Sequence, residues 1–137
     1  MSGSFYDLVQ PGMVQEIGSH TFERDEIIEF ASEFDPQPFH LDEEAGAASM
    51  LGGLAASGWH TASITMRLLV DGLLGQSSCQ GSPGVDKLVW RKPVYAGDTL
   101  SARMEVIAVR PLQSRPNMGM VMMRLETHNQ NGTLVMH

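Results

Sequence analysis

Apolar residues change their spacing part-way along this chain, from a helical period in the first 75 residues to alternation after residue 85. Val14 to Phe22 reads as a first strand. Asp25 and Glu26 then open a helix running through Phe34, because carboxylates complement the dipole at a helix start. Pro36 and Pro38 stop it and stiffen the next segment, each fixing its own φ and biasing the residue before it to extended geometry. Asp42-Glu43-Glu44 starts a short helix to about Met50, broken by Leu51-Gly52-Gly53. Trp59 to Leu74 is the longest helical pattern, with Ile64, Leu68 and Leu73 among its apolar positions and Gly75 as its stop. Beyond a loop from Gly75 to Gly84, the alternation predicts a strand over Val85 to Tyr95, a Gly97-Asp98 turn, and a strand from Leu100 to Leu112 carrying Met104, Val106 and Ala108 on one face. A break from Arg110-Pro111 to Pro116-Asn117 precedes a strand from Met118 to Asn129. Asn131-Gly132 signals a hairpin into Thr133 to Met136. One strand, then helices, then an antiparallel run predicts an α+β domain with a helix packed on a curved sheet.

Composition narrows the function more than the fold. The 137 residues suit a single domain spanning 1–137 with a modest core, at 42% hydrophobic and 18% charged. A net charge of −7 argues against nucleic acid or an anionic membrane as partner, since either needs a basic field. The lone cysteine, Cys79, cannot form an intrachain disulfide and reads as a passive loop thiol. The start lacks a charged region followed by an apolar one, and no apolar stretch is long enough to span a bilayer, so the expected location is the cytoplasm. No His, Cys and Asp stand at metal-ligand spacing, and no metal is expected.

Candidate chemistry concentrates in Phe34-Asp35-Pro36-Gln37-Pro38-Phe39-His40-Leu41-Asp42 and in Leu51 to Thr61. Adding water to a double bond beside a carbonyl needs a base for the water proton, an acid for the α-carbon and a donor for the enolate oxygen. Asp35 is the candidate base and His40 its partner, able to orient water and carry a proton near neutral pH. Gly58 opens the long helix, so its N–H can face an oxyanion with the dipole behind it, and a glycine permits close approach of a ligand. Each has an ordinary alternative: Asp before proline forms turns, and a lone loop histidine often satisfies a carbonyl. Their joint occurrence beside a glycine-rich helix start is what favours chemistry. His60 could line the pocket, though a polar role at the helix start competes. Phe39, Trp59 and Met66, with Met50, Leu51 and Leu69, are available for an apolar acyl pocket, and Lys87, Arg91 and Lys92 for phosphates.

Asp35 to His40, the Ala55-Ala56-Ser57-Gly58 segment, and Trp90 through Pro93, Tyr95, Gly97 and Asp98 to Leu100 resemble MaoC-like dehydratases and (R)-specific enoyl-CoA hydratases. The resemblance covers most of the chain. It implies a hot-dog fold, a curved antiparallel sheet around a long central helix, usually paired as a homodimer. It also implies a lyase of fatty acid metabolism in which an Asp/His dyad hydrates trans-2-enoyl thioesters to (R)-3-hydroxyacyl thioesters, or the reverse. The dyad falls on Asp35 and His40 and the oxyanion glycine on Gly58, with Ser57, expected to bind substrate beside it, standing where a His is common. Gln37 and Phe39 replace the usual Asn and aliphatic residue, and a Ser of some relatives would fall near Met66. The substrate would be an acyl-CoA or acyl-carrier-protein thioester, with no further cofactor. A hot-dog acyl-thioester hydrolase is the competing enzyme, disfavoured because residues 59 to 70 hold no carboxylate. A non-catalytic acyl-thioester binding protein is the third reading, and it would have no use for the Asp35/His40 pair.

Overall fold

A computed structural model describes residues 9–77 and 79–137. Four strands, β1 (Val14–Thr21), β2 (Thr99–Leu112), β3 (Arg115–His128) and β4 (Leu134–Met136), form one antiparallel sheet in the order β1-β2-β3-β4. Between β1 and β2 lie helices α1 (Arg24–Phe34), α2 (Pro38–Leu41), α3 (Glu43–Ala48) and α4 (Gly58–Gly72), the last followed by a 3-10 turn.

The sheet curves where its register slips. In β1, Glu16 pairs with Arg103 and Gly18 with Ala102, which leaves Ile17 as an extra residue. A bulge of this kind bends the strand and raises its twist. It also buries the Ile17 side chain and brings its carbonyl against α4, where a Cβ on Gly72 would lie 2.5 Å from Ile17 O. The long helix is therefore seated on β1 at a point where only glycine fits. A second bulge in β2 leaves Ile107 unpaired, between Val106 opposite Met123 and Ala108 opposite Met122. Leu100, Ala102, Met104 and Val106 face the core, and beyond the bulge Val109 rather than the expected Ala108 packs on it.

One half of the core gathers Phe22, Ile27, Leu54, Ala56, Val94, Leu100, Val135 and Met136; the other gathers Ile17, Leu69, Ala102, Met104 and Val106. Buried Thr61, Thr65 and Leu69 recur every fourth residue and turn one stripe of α4 inward. Trp59, Met66 and Val70 on the same helix are 58%, 49% and 38% exposed, so a second stripe of this apolar helix is left largely uncovered, with Trp59 touching Trp90.

Several boundaries depart from the sequence-based expectation. The helix expected to reach Leu74 ends at Gly72, short of Gly75. The segment expected as a strand over 85–95 makes only isolated bridges, Trp90 to Met136 and Tyr95 to Ala55. Strands β2 and β3 run on through Pro111 and Pro116 to a turn at Gln113 and Ser114. Pro111 is tolerated because β1 pairs with β2 no farther than Glu105, leaving a sheet edge where no N–H is required.

Candidate active site

Helix α1 places the first functional group. Ile27 and Ala31 anchor its inner face, and the Asp35 N–H closes its last turn on Ala31 O at 2.9 Å. Pro36 prevents continuation. The chain turns back at once, Gln37 N–H donating to Asp35 O at 2.8 Å, and Pro38 occupies the first position of the single-turn helix α2 that carries His40. The segment expected to be a stiffened loop thus contains a helical turn, which sets the Asp35-to-His40 spacing.

His40 is buried, and its Nδ1 lies 2.6 Å from Ala55 O. A carbonyl only accepts, so Nδ1 donates to it and Nε2 is the ring nitrogen left for the site. That nitrogen faces Asp35 Oδ2 at 3.4 Å, longer than a direct hydrogen bond and short enough for one water to touch both groups. The arrangement differs from a relay in which a carboxylate holds Nδ1. Here a backbone carbonyl holds Nδ1, and Asp35 Oδ2 and His40 Nε2 face a common space.

The Asp35 carboxylate is held from both sides. Ser57 Oγ donates to Oδ2 at 2.7 Å and Gln37 Nε2 donates to Oδ1 at 2.6 Å. Partial burial pushes the Asp35 pKa up, but the Ser57 and Gln37 hydrogen bonds and the facing His40 outweigh it, and the net shift is downward. Asp35 is an ionised base at neutral pH.

Ser57 has no exposed surface and also caps α4, accepting the Trp59 N–H at 3.3 Å. Its hydroxyl is committed to Asp35, so Ser57 positions the base rather than touching a ligand, contrary to the expectation that it binds substrate. The Gly58 N–H, next in the chain, has no hydrogen-bond partner among the described residues and stands at the N-terminus of a 15-residue helix. The requirement for glycine has a different origin from the one expected. A Cβ at Gly58 would lie 2.5 Å from Trp90 Cε2, and the Trp90 indole N–H donates to Gly58 O at 2.8 Å. Trp90, not a ligand, occupies the space that the missing side chain leaves.

The remaining expected site residues separate into two groups. Phe39 sets its ring edge-on to His40 at 4.5 Å, and Trp59 packs edge-on against Trp90 at 5.1 Å. Met66 is half exposed on the outer stripe of α4. His60 does not join them: it is buried against Phe22 and Phe30, with Nε2 3.3 Å from Glu26 Oε2. Arg91 donates to His137 at 2.9 Å on the sheet edge. Two clefts of about 410 Å³ each are lined around Arg103 and His128 and around Tyr95 and Gly53, and neither includes Asp35 or His40. Among the described residues no group of His, Cys, Asp or Glu is placed to hold a metal ion, and no helix is long and apolar enough to cross a membrane.

Sequence reasoning missed Gln37 as a holder of Asp35, the Ser57 tie and the Trp90 cover of Gly58. Gln37 was visible only as a departure from a motif. The Ser57 and Trp90 contacts join residues far apart in the chain, for which a single sequence has no signal.

A family model described as MaoC like domain matches residues 7–126. The chain belongs to the MaoC-like family. A solved MaoC-like dehydratase from Rhodospirillum rubrum is 43% identical with a TM-score of 0.83, over 98% of this chain and 91% of that one. The (R)-hydratase from A. caviae involved in PHA biosynthesis is 25% identical with a TM-score of 0.72, over 93% and 91% of the two chains. The uncharacterized protein YdeM of Bacillus subtilis (strain 168) is 34% identical over 120 residues, 87% of this chain and 83% of YdeM. The MaoC-like fold is the hot-dog fold, with α4 as its central helix, and the family and its solved members support a hydratase or dehydratase.

Proposed function

We propose that this MaoC-like domain adds water to a trans-2-enoyl thioester to give an (R)-3-hydroxyacyl thioester, or runs the reverse, with Asp35 and His40 as its acid/base pair. The observation that carries the reading is the ionised Asp35 Oδ2 facing His40 Nε2 at 3.4 Å. A water between them donates to Asp35 and is held by His40 Nε2. As its oxygen bonds to the β-carbon, Asp35 takes the water proton while His40 holds the remaining O–H in line. Electron density moves through the α-carbon onto the thioester oxygen, where the Gly58 N–H and the α4 dipole meet the developing charge. The proton on Asp35 then passes to the α-carbon, which restores both groups and the thioester. The reaction needs no cofactor beyond the thioester itself, carried on CoA or on an acyl carrier protein.

The chain acts as a homodimer in this reading. The outer stripe of α4 with Trp59, Met66 and Val70, together with Phe34 at 68% exposure, leaves an apolar surface beside Asp35 that a second copy would cover. An acyl pocket closed between two copies also agrees with the pair lining neither of the two clefts described above. A hydrolase would need a group to attack the thioester carbonyl. The one carboxylate on α4, Asp71, is paired with Arg67 at 2.7 Å near the far end of the helix.

Incubation with crotonyl-CoA, following loss of the enoyl absorbance and release of free thiol in parallel, tests the proposal. Enoyl loss without thiol is expected. Thiol release at the same rate would establish a hydrolase, and saturable binding without either would leave a binding protein.

A further inference from the structure

Helix α1 meets the first turn of α4 at two places. At its C-terminal end Asp35 receives the Ser57 hydroxyl, and near its N-terminal end the Glu26 carboxylate stands 3.3 Å from His60 Nε2. Nine residues separate these points on α1 and three on α4, or roughly 13 Å and 5 Å along the two axes at 1.5 Å per residue. So α1 touches the start of α4 at two separated points, with the Glu26–His60 contact at the end away from Asp35.

Glu26 is itself held fast. It accepts the Glu23 N–H at 2.8 Å, through one oxygen, and His20 Nε2 at 2.9 Å, through the other. His60 is 4% exposed, lies flat on Phe30 at 4.7 Å with an 8° tilt between rings, and touches Phe22 from a second direction at 4.7 Å. Its Nδ1 is buried and has no hydrogen-bond partner among the described residues. Burial holds its pKa below the ordinary value, with Glu26 pulling back less strongly, and Nε2 faces the Glu26 carboxylate at 3.3 Å. A phenyl ring would fill the same space and stack on Phe30 without leaving a buried nitrogen unsatisfied. What the imidazole adds is the tie to Glu26.

We propose that His60 is a positioning residue for Asp35: through Nε2 and Glu26 it fixes how α1 sits against α4 and so holds Asp35 within reach of Ser57. The kinetic arm of the test rests on the hydratase reading, and the spectroscopic arm does not. His60→Phe keeps the stacked ring and removes the tie; Glu26→Leu removes it from the other side; Glu26→Gln keeps an oxygen for His60. The side-chain carboxyl carbon of Asp35, followed by NMR across pH, should titrate higher in His60→Phe and in Glu26→Leu, because a loosened Ser57 bond favours the ionised form less. It should stay near wild type in Glu26→Gln. With crotonyl-CoA, the two disrupting variants should lose about 10-fold in kcat with KM within about 2-fold, and Glu26→Gln should stay within about 3-fold.

An unmoved Asp35 titration in folded His60→Phe would overturn the proposal. Should that variant not fold, an unmoved titration in Glu26→Leu would do so. An equal shift in Glu26→Gln and Glu26→Leu would also overturn it, because charge rather than the tie would then be responsible. A wild-type protein that does not turn over crotonyl-CoA would count against the hydratase reading alone, with the Asp35 titration still deciding this one.

Discussion

Replacing Ser57 with alanine removes one oxygen that makes two bonds, and the structure gives each a size. The bond to Asp35 Oδ2, at 2.7 Å and to an ionised acceptor, belongs to the class contributing about 1.5–3 kcal/mol. Asp35 is partly exposed, so water can replace the lost donor and the lower end applies. The bond from the Trp59 N–H is a helix cap, worth about 0.5–2 kcal/mol, and at 3.3 Å it too belongs at the lower end. Together Ser57→Ala should cost about 2 kcal/mol at pH 7. The two parts differ in pH dependence. Folding lowers the Asp35 pKa, so its contribution is present above the unfolded value and is lost as pH falls through the folded one. Urea unfolding of wild type and Ser57→Ala in steps from pH 7 to pH 3 should show the gap narrowing toward the share of the cap as pH falls below about 4. A gap constant across that range, or one under about 0.5 kcal/mol at pH 7, would refute the claim that Ser57 holds the ionised carboxylate.

Other consequences can be checked separately. Gly58→Ala should destabilise by about 1–3 kcal/mol, because its Cβ must displace the Trp90 indole. A Gly58→Ala, Trp90→Ala double variant should recover part of that loss in thermal melts. Gly72→Ala should cost about 2 kcal/mol or more even though alanine favours helix, since its Cβ meets the fixed Ile17 carbonyl; a melting temperature equal to wild type would contradict the seating of α4 on β1. Sedimentation of the 15.0 kDa chain at micromolar concentration should give a species of twice that mass, and a monomer under those conditions would remove the dimer from the proposal.

The sequence disclosed those parts of the fold that depend on neighbouring residues. The bounds of α1, the cap of α3 by Asp42 and the Asn131-Gly132 hairpin arise from local chemistry and appear where expected. The misplaced end of α4 and the interrupted segment 85–95 have non-local causes. Gly72 lies against the β1 bulge, and Trp90 is drawn to Gly58 by an indole hydrogen bond. Alternation in β2 failed at Ile107 for a related reason, because one bulged residue exchanges the two faces of a strand. In the candidate site, Asp35 and His40 were legible because five residues and two prolines fix their separation. The groups that hold them, Ser57 on Asp35 and Ala55 O on His40, lie 22 and 15 residues away and became visible only in three dimensions. His60 was legible as a polar residue at a helix start, but not as the partner of Glu26.

The central claim is that Asp35 and His40 carry out the proton transfers of hydration, and steady-state turnover of crotonyl-CoA by wild type, Asp35→Asn and His40→Ala tests it most directly. Each substitution removes one group of the proton-transfer pair, so kcat should fall by about 10²–10⁴-fold in either variant. Both variants should fold with lowered melting temperatures, since Asp35→Asn weakens the Ser57 bond and His40→Ala leaves Ala55 O without its partner. Near-wild-type hydration in a folded Asp35→Asn or His40→Ala protein would contradict the account.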